Sequence, residues 1–154
     1  MLTVRVCNRQ RLLKGMAPRI RSLCRLAAPK DWDGAELGVA LVSGEEMADL
    51  NSRYTGRSRD TDVLAFPLAD DDDSVLGEIV ISASCVLAEA NARGIDPADE
   101  LGLYVVHGML HLQGYDDHST ADRRKMYARE REVLIAAGLG DVRRQRRIRV
   151  KNRT

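Results

Sequence analysis

Hydrophobic residues recur along the N-terminal part of the chain in two different periods. Residues 2–7 alternate between apolar and polar around Val4 and Val6, which predicts a short strand. From Asn8 onward the apolar residues follow a helical spacing, and Pro29 with the polar cluster after it ends the predicted helix. The apolar positions of this helix are Leu12, Leu13, Met16, Ile20, Leu23 and Leu26.

The middle of the chain contains three further strand candidates. Residues 37–42 are almost continuously apolar, which is typical of a buried strand. Ser43 followed by Glu46 forms a capping box, which predicts that a helix begins directly after this strand. Residues 62–66 and 76–82 are two more apolar runs separated by a polar turn, and we expect them to pair antiparallel.

The second half of the chain is predicted to be mainly helical. One helix extends from Ser84 to Gly94, and Pro97 begins the next, in a first turn where its missing N–H is not needed. Residues 101–112 of that second helix are apolar nearly all the way round, which indicates a central, buried helix. Ser119 caps a last helix, which we expect to pack through Met126, Val133 and Leu134.

The charges of the chain are unevenly distributed. A length of 154 residues indicates one domain, which we assign to residues 1–142, followed by a basic, disordered tail of residues 143–154. The tail contains seven of the 24 Lys and Arg residues and none of the 23 acidic ones, so the rest of the chain is net acidic. Such a tail either neutralises the phosphates of a nucleic acid or is a solvated terminus, and the composition leaves both alternatives open.

The sequence has no sign of export or of a membrane segment. It has no run of about 18 apolar residues, and basic residues interrupt its start where a signal peptide needs an apolar stretch. We therefore expect a cytoplasmic protein without a membrane partner. Cys7, Cys24 and Cys85 lie far apart and form no CxxC pair, which fits reduced thiols and argues against a thiolate metal site.

All the histidines of the chain lie close together near its C-terminal end. His107 and His111 are one helical turn apart, about 40° around the predicted helix, so both imidazoles can meet one ion. Burying them requires partners, which either a shared divalent metal or hydrogen bonds within the core would provide. Gly114 turns the chain back and adds Asp117 and His118 as ligand candidates. Nitrogen-rich ligands with an open position favour Zn²⁺, one per chain, although nickel or another divalent ion also fits.

The histidine helix differs from that of common metalloproteases. In the HExxH motif, the glutamate after the first histidine is the general base, and here that position is Gly108. Peptide hydrolysis of that kind would lack its proton acceptor. The chemistry that remains is a metal that polarises an oxygen or lowers the pKa of a bound water.

Long segments of the chain resemble one known protein family. Residues 107–118, HGMLHLQGYDDH, resemble the HGxLHLxGYDH signature of the YbeY family of bacterial metal-dependent endoribonucleases. Residues 50–67 resemble the family stretch LNxxYRGxxxPTDVLSFP, and residues 76–82 resemble its LGDIVIS strand. The matching positions of the first of these are Leu50, Asn51, Tyr54, Gly56, Thr61, Asp62, Val63, Leu64, Phe66 and Pro67.

The resemblance implies a fold, a cofactor and a set of partners. It implies an α+β fold with a small mixed four-stranded sheet, about five helices and a metzincin-like histidine helix that binds one zinc through three histidines. It also implies cleavage of single-stranded RNA in maturation of the 16S ribosomal RNA 3′ end and in ribosome quality control. The implied partners are ribosomal RNA and the small ribosomal subunit or its assembly factors.

The chain departs from the family pattern at two positions. Asp117 occupies the position of the third histidine, and a histidine follows at His118. The aspartate preserves the spacing of the family motif, whereas the imidazole preserves the nitrogen ligand. The match in ligand type slightly favours His118 as the third ligand. Thr55 replaces an arginine that the family uses in catalysis. Arg53, Arg57 and Arg59 nearby are the candidate substitutes. The predicted catalytic residues are His107, Arg57 and Arg59.

The sequence therefore predicts a zinc-dependent endoribonuclease, with two alternatives. The first is a non-catalytic ribosome-assembly factor whose metal is mainly structural, which the replacement at Thr55 favours. The second is a metal-dependent hydrolase of small molecules, which would need no basic tail. Aromatic residues make up 4% of the chain, so we expect recognition of RNA through its backbone more than through base stacking.

Overall fold

The computed structural model describes residues 1–55, 62–68 and 74–140, and of Thr55 it describes the backbone alone. The predicted catalytic residues Arg57 and Arg59 lie outside the described residues. The predicted tail, residues 143–154, also lies outside them, so the division into a domain and a tail stays a prediction.

The described residues form four strands and five α-helices around a mixed sheet. The sheet has the order β1-β2-β4-β3, in which β1, β2 and β4 are parallel and β3 is antiparallel to β4. This confirms the predicted α+β fold with a mixed four-stranded sheet, whereas the metzincin-like character of the histidine helix stays a prediction. In chain order the elements are β1 (Thr3–Arg9), α1 (Ala17–Ala27), a 3-10 turn (Lys30–Trp32), β2 (Glu36–Val42), α2 (Gly44–Thr55), β3 (Val63–Pro67), β4 (Val75–Ser82), α3 (Ala83–Arg93), α4 (Pro97–Leu112) and α5 (Thr120–Ala136).

The first helix begins later than the hydrophobic spacing predicts. The expected start at Asn8 is wrong, because this residue continues β1 and pairs with Leu41 of β2. α1 begins only at Ala17, with Pro18 in its first turn. Leu12, which the helical pattern placed in the core, is 58% exposed. Hydrogen bonds to a distant strand therefore decide where β1 ends, and local spacing does not contain that information.

The two faces of the sheet pack against different helices. Along β2, Leu37, Val39 and Leu41 belong to the large core, which includes residues of α1, α3, α4 and α5. Ala40 and Val42 point to the opposite face, where they form a smaller core with residues of α2. This alternation is the ordinary consequence of the two-residue period of a strand. The prediction of a buried strand at residues 37–42 is confirmed, and both of its faces are covered by helices.

The serine caps predicted at Ser43 and Ser119 are both present. The Ser43 hydroxyl oxygen accepts a hydrogen bond from the Glu46 backbone N–H at 3.2 Å, which confirms the start of α2. The Glu46 carboxylate contacts the Arg9 guanidinium of β1 at 2.7 Å, so it also ties α2 to the sheet. At α5, the Ser119 hydroxyl oxygen accepts from the Asp122 N–H at 3.0 Å.

Helix α4 is the centre of the molecule. Its residues 100–110 are all buried, and it packs against α1, α3, α5, β3 and β4. It starts where the sequence predicts, since the Asp96 carboxylate accepts a hydrogen bond from the Ala98 N–H at 2.9 Å. Neither this helix nor any other in the described part of the chain is long and apolar enough to cross a membrane.

The contact between α4 and β4 is so close that one helix position has no room for a side chain. A Cβ atom at Gly108 would lie 2.7 Å from the Ile79 Cγ2 of β4, well inside contact distance. Gly108 is therefore required by packing, because glycine lets the helix lie directly on the sheet. The glutamate of a protease motif would not fit at this position.

We predict that Gly108→Ala destabilises the protein, although alanine is the better helix former. Overpacking of a core costs about 1–3 kcal/mol, which exceeds the roughly 1 kcal/mol that alanine gains in a helix. Gly38→Ala is the control, because its Cβ would lie an ordinary 3.7 Å from the Glu78 Cγ. Urea unfolding of both variants measures the difference. Equal midpoints would contradict the packing argument.

We also predict a stability loss in alkaline solution that depends on Cys24. Burial raises the pKa of the Cys24 thiol from 9.0 to about 12, partly opposed by the Arg25 charge. The folded state therefore favours the neutral thiol, and this contribution is complete below pH 9 and is lost as the pH rises towards 12. Urea unfolding between pH 8 and pH 10.5 should show a shallower pH dependence in Cys24→Ala, by roughly 1 kcal/mol per pH unit above pH 9. Cys7→Ala, at an exposed position, should keep the slope of the parent protein.

Candidate metal centre

Two imidazoles meet on the same side of α4. His107 is buried, and His111, one turn later, is half-buried. The Nε2 atoms of the two rings are 2.9 Å apart, and the rings lie edge-on at 76°. Both Nε2 atoms therefore converge on one point, as the four-residue spacing predicts.

A buried carboxylate contacts the other nitrogen of His107. The Oε2 atom of Glu130, on α5, lies 3.4 Å from the His107 Nδ1, and the Glu130 side chain is completely buried. If Nδ1 carries the ring proton, it can donate to this oxygen, and the lone pair of Nε2 is then directed towards His111. Glu130 is not among the site residues predicted from the sequence. The signal was present, because Glu130 stands four residues after Met126 and three before Val133, on the buried face of α5.

The turn after α4 brings a third ligand candidate to the histidines. Gly114 has a φ of 94°, a left-handed conformation that glycine adopts readily, and its N–H donates to the His111 carbonyl oxygen at 3.0 Å. The chain reverses here, and Asp117 returns to the helix. A carboxylate oxygen of Asp117 and one ring nitrogen each of His107 and His111 all lie within 4.8 Å of one another.

His118 has a different environment. Its side chain is 80% exposed, and its Nε2 lies 3.3 Å from the Asp116 carboxylate. The His118 backbone N–H donates to the same carboxylate at 2.9 Å. It belongs to a second, more exposed group with Asp116 and Asp117. The third ligand is thus still a prediction, and the geometry favours Asp117 over His118.

The first group of side chains has the chemistry of a divalent metal site. Two imidazole nitrogens and one carboxylate oxygen are ligands that zinc and related transition metals accept. Glu130 behind His107 matches the carboxylate that commonly orients a ligating histidine. A hydrogen bond between the two imidazoles would also explain the 2.9 Å distance. That alternative gives no role to the Asp117 carboxylate, so the three donors together fit a metal better.

The last described turn of α2 contains one arginine, which is paired within its own helix. Thr55 is the last residue of this helix. Arg53, two residues earlier, is bound to Asp49 on the same helix at 2.9 Å and is largely exposed. The roles predicted for Arg57 and Arg59 remain predictions, since both residues lie outside the described residues.

Fold and site together define a class of protein: a small α+β protein with a candidate histidine and carboxylate metal centre on its central helix. Comparison with known proteins is consistent with this class. Residues 8–138 match the model of the family described as Endoribonuclease YbeY. The chain belongs to the YbeY family, which confirms the resemblance seen in its motifs.

Individual relatives cover most of the chain. Endoribonuclease YbeY of Bacillus licheniformis is 35% identical over 133 residues, which span 78% of this chain and 84% of the relative. The protein of the same name from Halorhodospira halophila is 40% identical over 114 residues, 70% of this chain and 74% of the relative. The solution structure of TM1509 from Thermotoga maritima has a TM-score of 0.64 and 26% identity, and covers 98% of this chain and 100% of its own.

We predict that Asp117→Asn weakens divalent-metal binding much more than His118→Ala. The amide keeps the size of the side chain but removes the charge that a cation requires, so we expect a loss beyond the roughly 10- to 100-fold typical of an outer-shell partner. His118→Ala should bind zinc as the parent protein does, because its ring lies at the surface. Competition titration of zinc against a chromophoric chelator measures both. The opposite order would make His118 the ligand.

Proposed function

We propose that this protein is a metal-dependent endoribonuclease that cleaves single-stranded RNA, with the ion held by His107, His111 and Asp117. The observation that carries the proposal is the convergence of these three donors at the end of α4. Membership of a family whose relatives are named endoribonuclease supplies the reaction class.

The residues of the site would have different roles in such a reaction. A divalent ion bound here would supply a Lewis acid for a phosphate oxygen and a water of lowered pKa. The Glu130 carboxylate lies 3.4 Å from the His107 Nδ1, on the side of the ring away from His111 and Asp117. The close packing of α4 on Ile79 keeps both histidines in place. The Asp117 carboxylate lowers the net charge of the centre compared with three neutral imidazoles.

We further propose zinc as the ion, ribosomal RNA as the substrate and the 16S RNA 3′ end as the place of cleavage. These finer statements rest on the family motifs at residues 50–67 and 107–118. The basic residues 143–154 support a nucleic-acid partner, because seven positive charges can displace counterions from phosphates. The small ribosomal subunit or its assembly factors are the macromolecular partners that this function requires.

One observation favours a second function. Thr55 stands where the family has a catalytic arginine, and a threonine cannot stabilise developing negative charge on a phosphate as a guanidinium does. A chain without that charge could serve ribosome assembly with a mainly structural metal. Cleavage and assembly therefore have to be measured separately.

We predict slow cleavage of single-stranded RNA that Thr55→Arg accelerates. Loss of one group that stabilises transition-state charge costs about 10²- to 10³-fold in rate, so the arginine should recover up to about that factor. Thr55→Lys should recover less, because an ammonium lacks the planar fork of a guanidinium. Single-turnover cleavage of a labelled unstructured RNA, with zinc or manganese added, measures these rates.

Histidine variants provide the controls for this experiment. His111→Ala should abolish cleavage, whereas His118→Ala, whose ring is at the surface, should retain it. Circular dichroism verifies that both variants are folded. If neither the parent nor Thr55→Arg cuts RNA while the protein still binds ribosomal particles, the nuclease proposal fails and the assembly function replaces it.

A further inference from the structure

Glu130 is an unusual residue in its helix. α5 is otherwise rich in exposed charged residues, yet Glu130 lies on its buried face with Met126, Val133 and Leu134, and its side chain has no exposed surface. Removing a carboxylate from water costs several kcal/mol unless the protein provides a suitable partner. The position of Glu130 is therefore not explained by packing alone, since an apolar residue would fill it at lower cost.

The imidazole of His107 lies between Glu130 and the candidate metal centre. Its Nδ1 is 3.4 Å from the Glu130 Oε2, and its Nε2 is 2.9 Å from the His111 Nε2. The Nδ1 of this ring thus faces α5, whereas its Nε2 faces a residue of its own helix, α4. A neutral imidazole has one protonated and one unprotonated nitrogen, so an acceptor at Nδ1 determines which nitrogen can act as a ligand.

We propose that Glu130 is a positioning residue that fixes the tautomer and ring orientation of His107 for metal binding. The Glu130 carboxylate accepts the Nδ1–H, and the Nε2 lone pair is directed to the point that His111 and Asp117 share. This inference rests on the metal centre of the proposed function. It adds a residue on α5 to a site that the sequence motif places on α4 and the following turn.

The contact between Glu130 and His107 also affects the turn that contains Asp117. The segment that contains Asp117 connects α4 to α5, so its two ends are held by these two helices. In the structure, Glu130 of α5 contacts His107 of α4, and the segment between these helices places Asp117 near both histidines. The packing of α5 on α4 therefore places Glu130 against His107 and limits the positions that Asp117 can take.

The direct test is the tautomer of His107 in the metal-free full-length protein. Nitrogen-15 NMR at mildly alkaline pH distinguishes a protonated Nδ1 from a protonated Nε2. We expect the Nδ1–H form in the parent protein. A parent protein with the proton on Nε2 overturns the inference, whatever any variant does.

Variants on α5 then test the effect on metal binding. Glu130→Gln keeps the shape but removes the charge, and its amide N–H₂ can turn towards Nδ1 and favour the wrong tautomer. The matched control is Glu132→Gln, because Glu132 is 68% exposed on the same helix and bonds to Arg129 at 3.1 Å. Titration with Zn²⁺ and Co²⁺ against a chromophoric chelator should show 10- to 100-fold weaker binding for Glu130→Gln and the affinity of the parent protein for the control. The visible spectrum of the Co²⁺ form should change in Glu130→Gln alone.

The possible outcomes separate this inference from the proposed function. Unchanged affinity, spectrum and tautomer in Glu130→Gln overturn the inference, even if the parent protein cleaves RNA. If Glu130→Gln shows the expected loss of metal affinity but the parent protein never cleaves RNA, the inference is supported and the proposed nuclease function is overturned. A parent protein that binds neither ion overturns both. If Glu130→Gln does not fold, Glu130→Asp replaces it, with an expected affinity between the parent and the weakened range.

Discussion

The burial of α4 on every side is the constraint on which the rest of the structure depends. A helix surrounded by α1, α3, α5 and the sheet must be apolar, and each polar group on it needs a partner inside the protein. His107 meets this requirement through Glu130 on one side and His111 on the other. The same burial restricts the His107 imidazole and so holds it in place within the candidate centre.

The candidate centre is compact in sequence but depends on distant packing. Its donors and the carboxylate behind them come from residues 107–130, which form one helix, one turn and the next helix. The position of that unit is determined elsewhere, because Gly108 lets α4 lie directly on Ile79 of β4. A metal site of this kind can therefore be lost through a core substitution as well as through a ligand substitution.

The two departures from the family motifs affect different parts of the function. Asp117 would change the charge and the donor type of the candidate centre, and its carboxylate lies near both histidines. Under the proposed function, Thr55 would instead reduce the stabilisation of charge on the substrate phosphate. Metal binding and RNA cleavage are therefore independent questions for this chain.

The sequence by itself determined most of the elements, the central helix and the paired histidines, because hydrophobic period, caps and the four-residue spacing are local properties. It did not determine where β1 ends, since Asn8 joins the strand by pairing with Leu41 of a distant segment. Nor did it reveal the role of Glu130, whose partner is 23 residues away on another helix. The relative placement of Asp117 and His118 was also decided by tertiary structure, because a turn at Gly114 directs one side chain inward and the other to solvent. Contacts between elements depend on how helices dock, and that information is distributed over the whole chain.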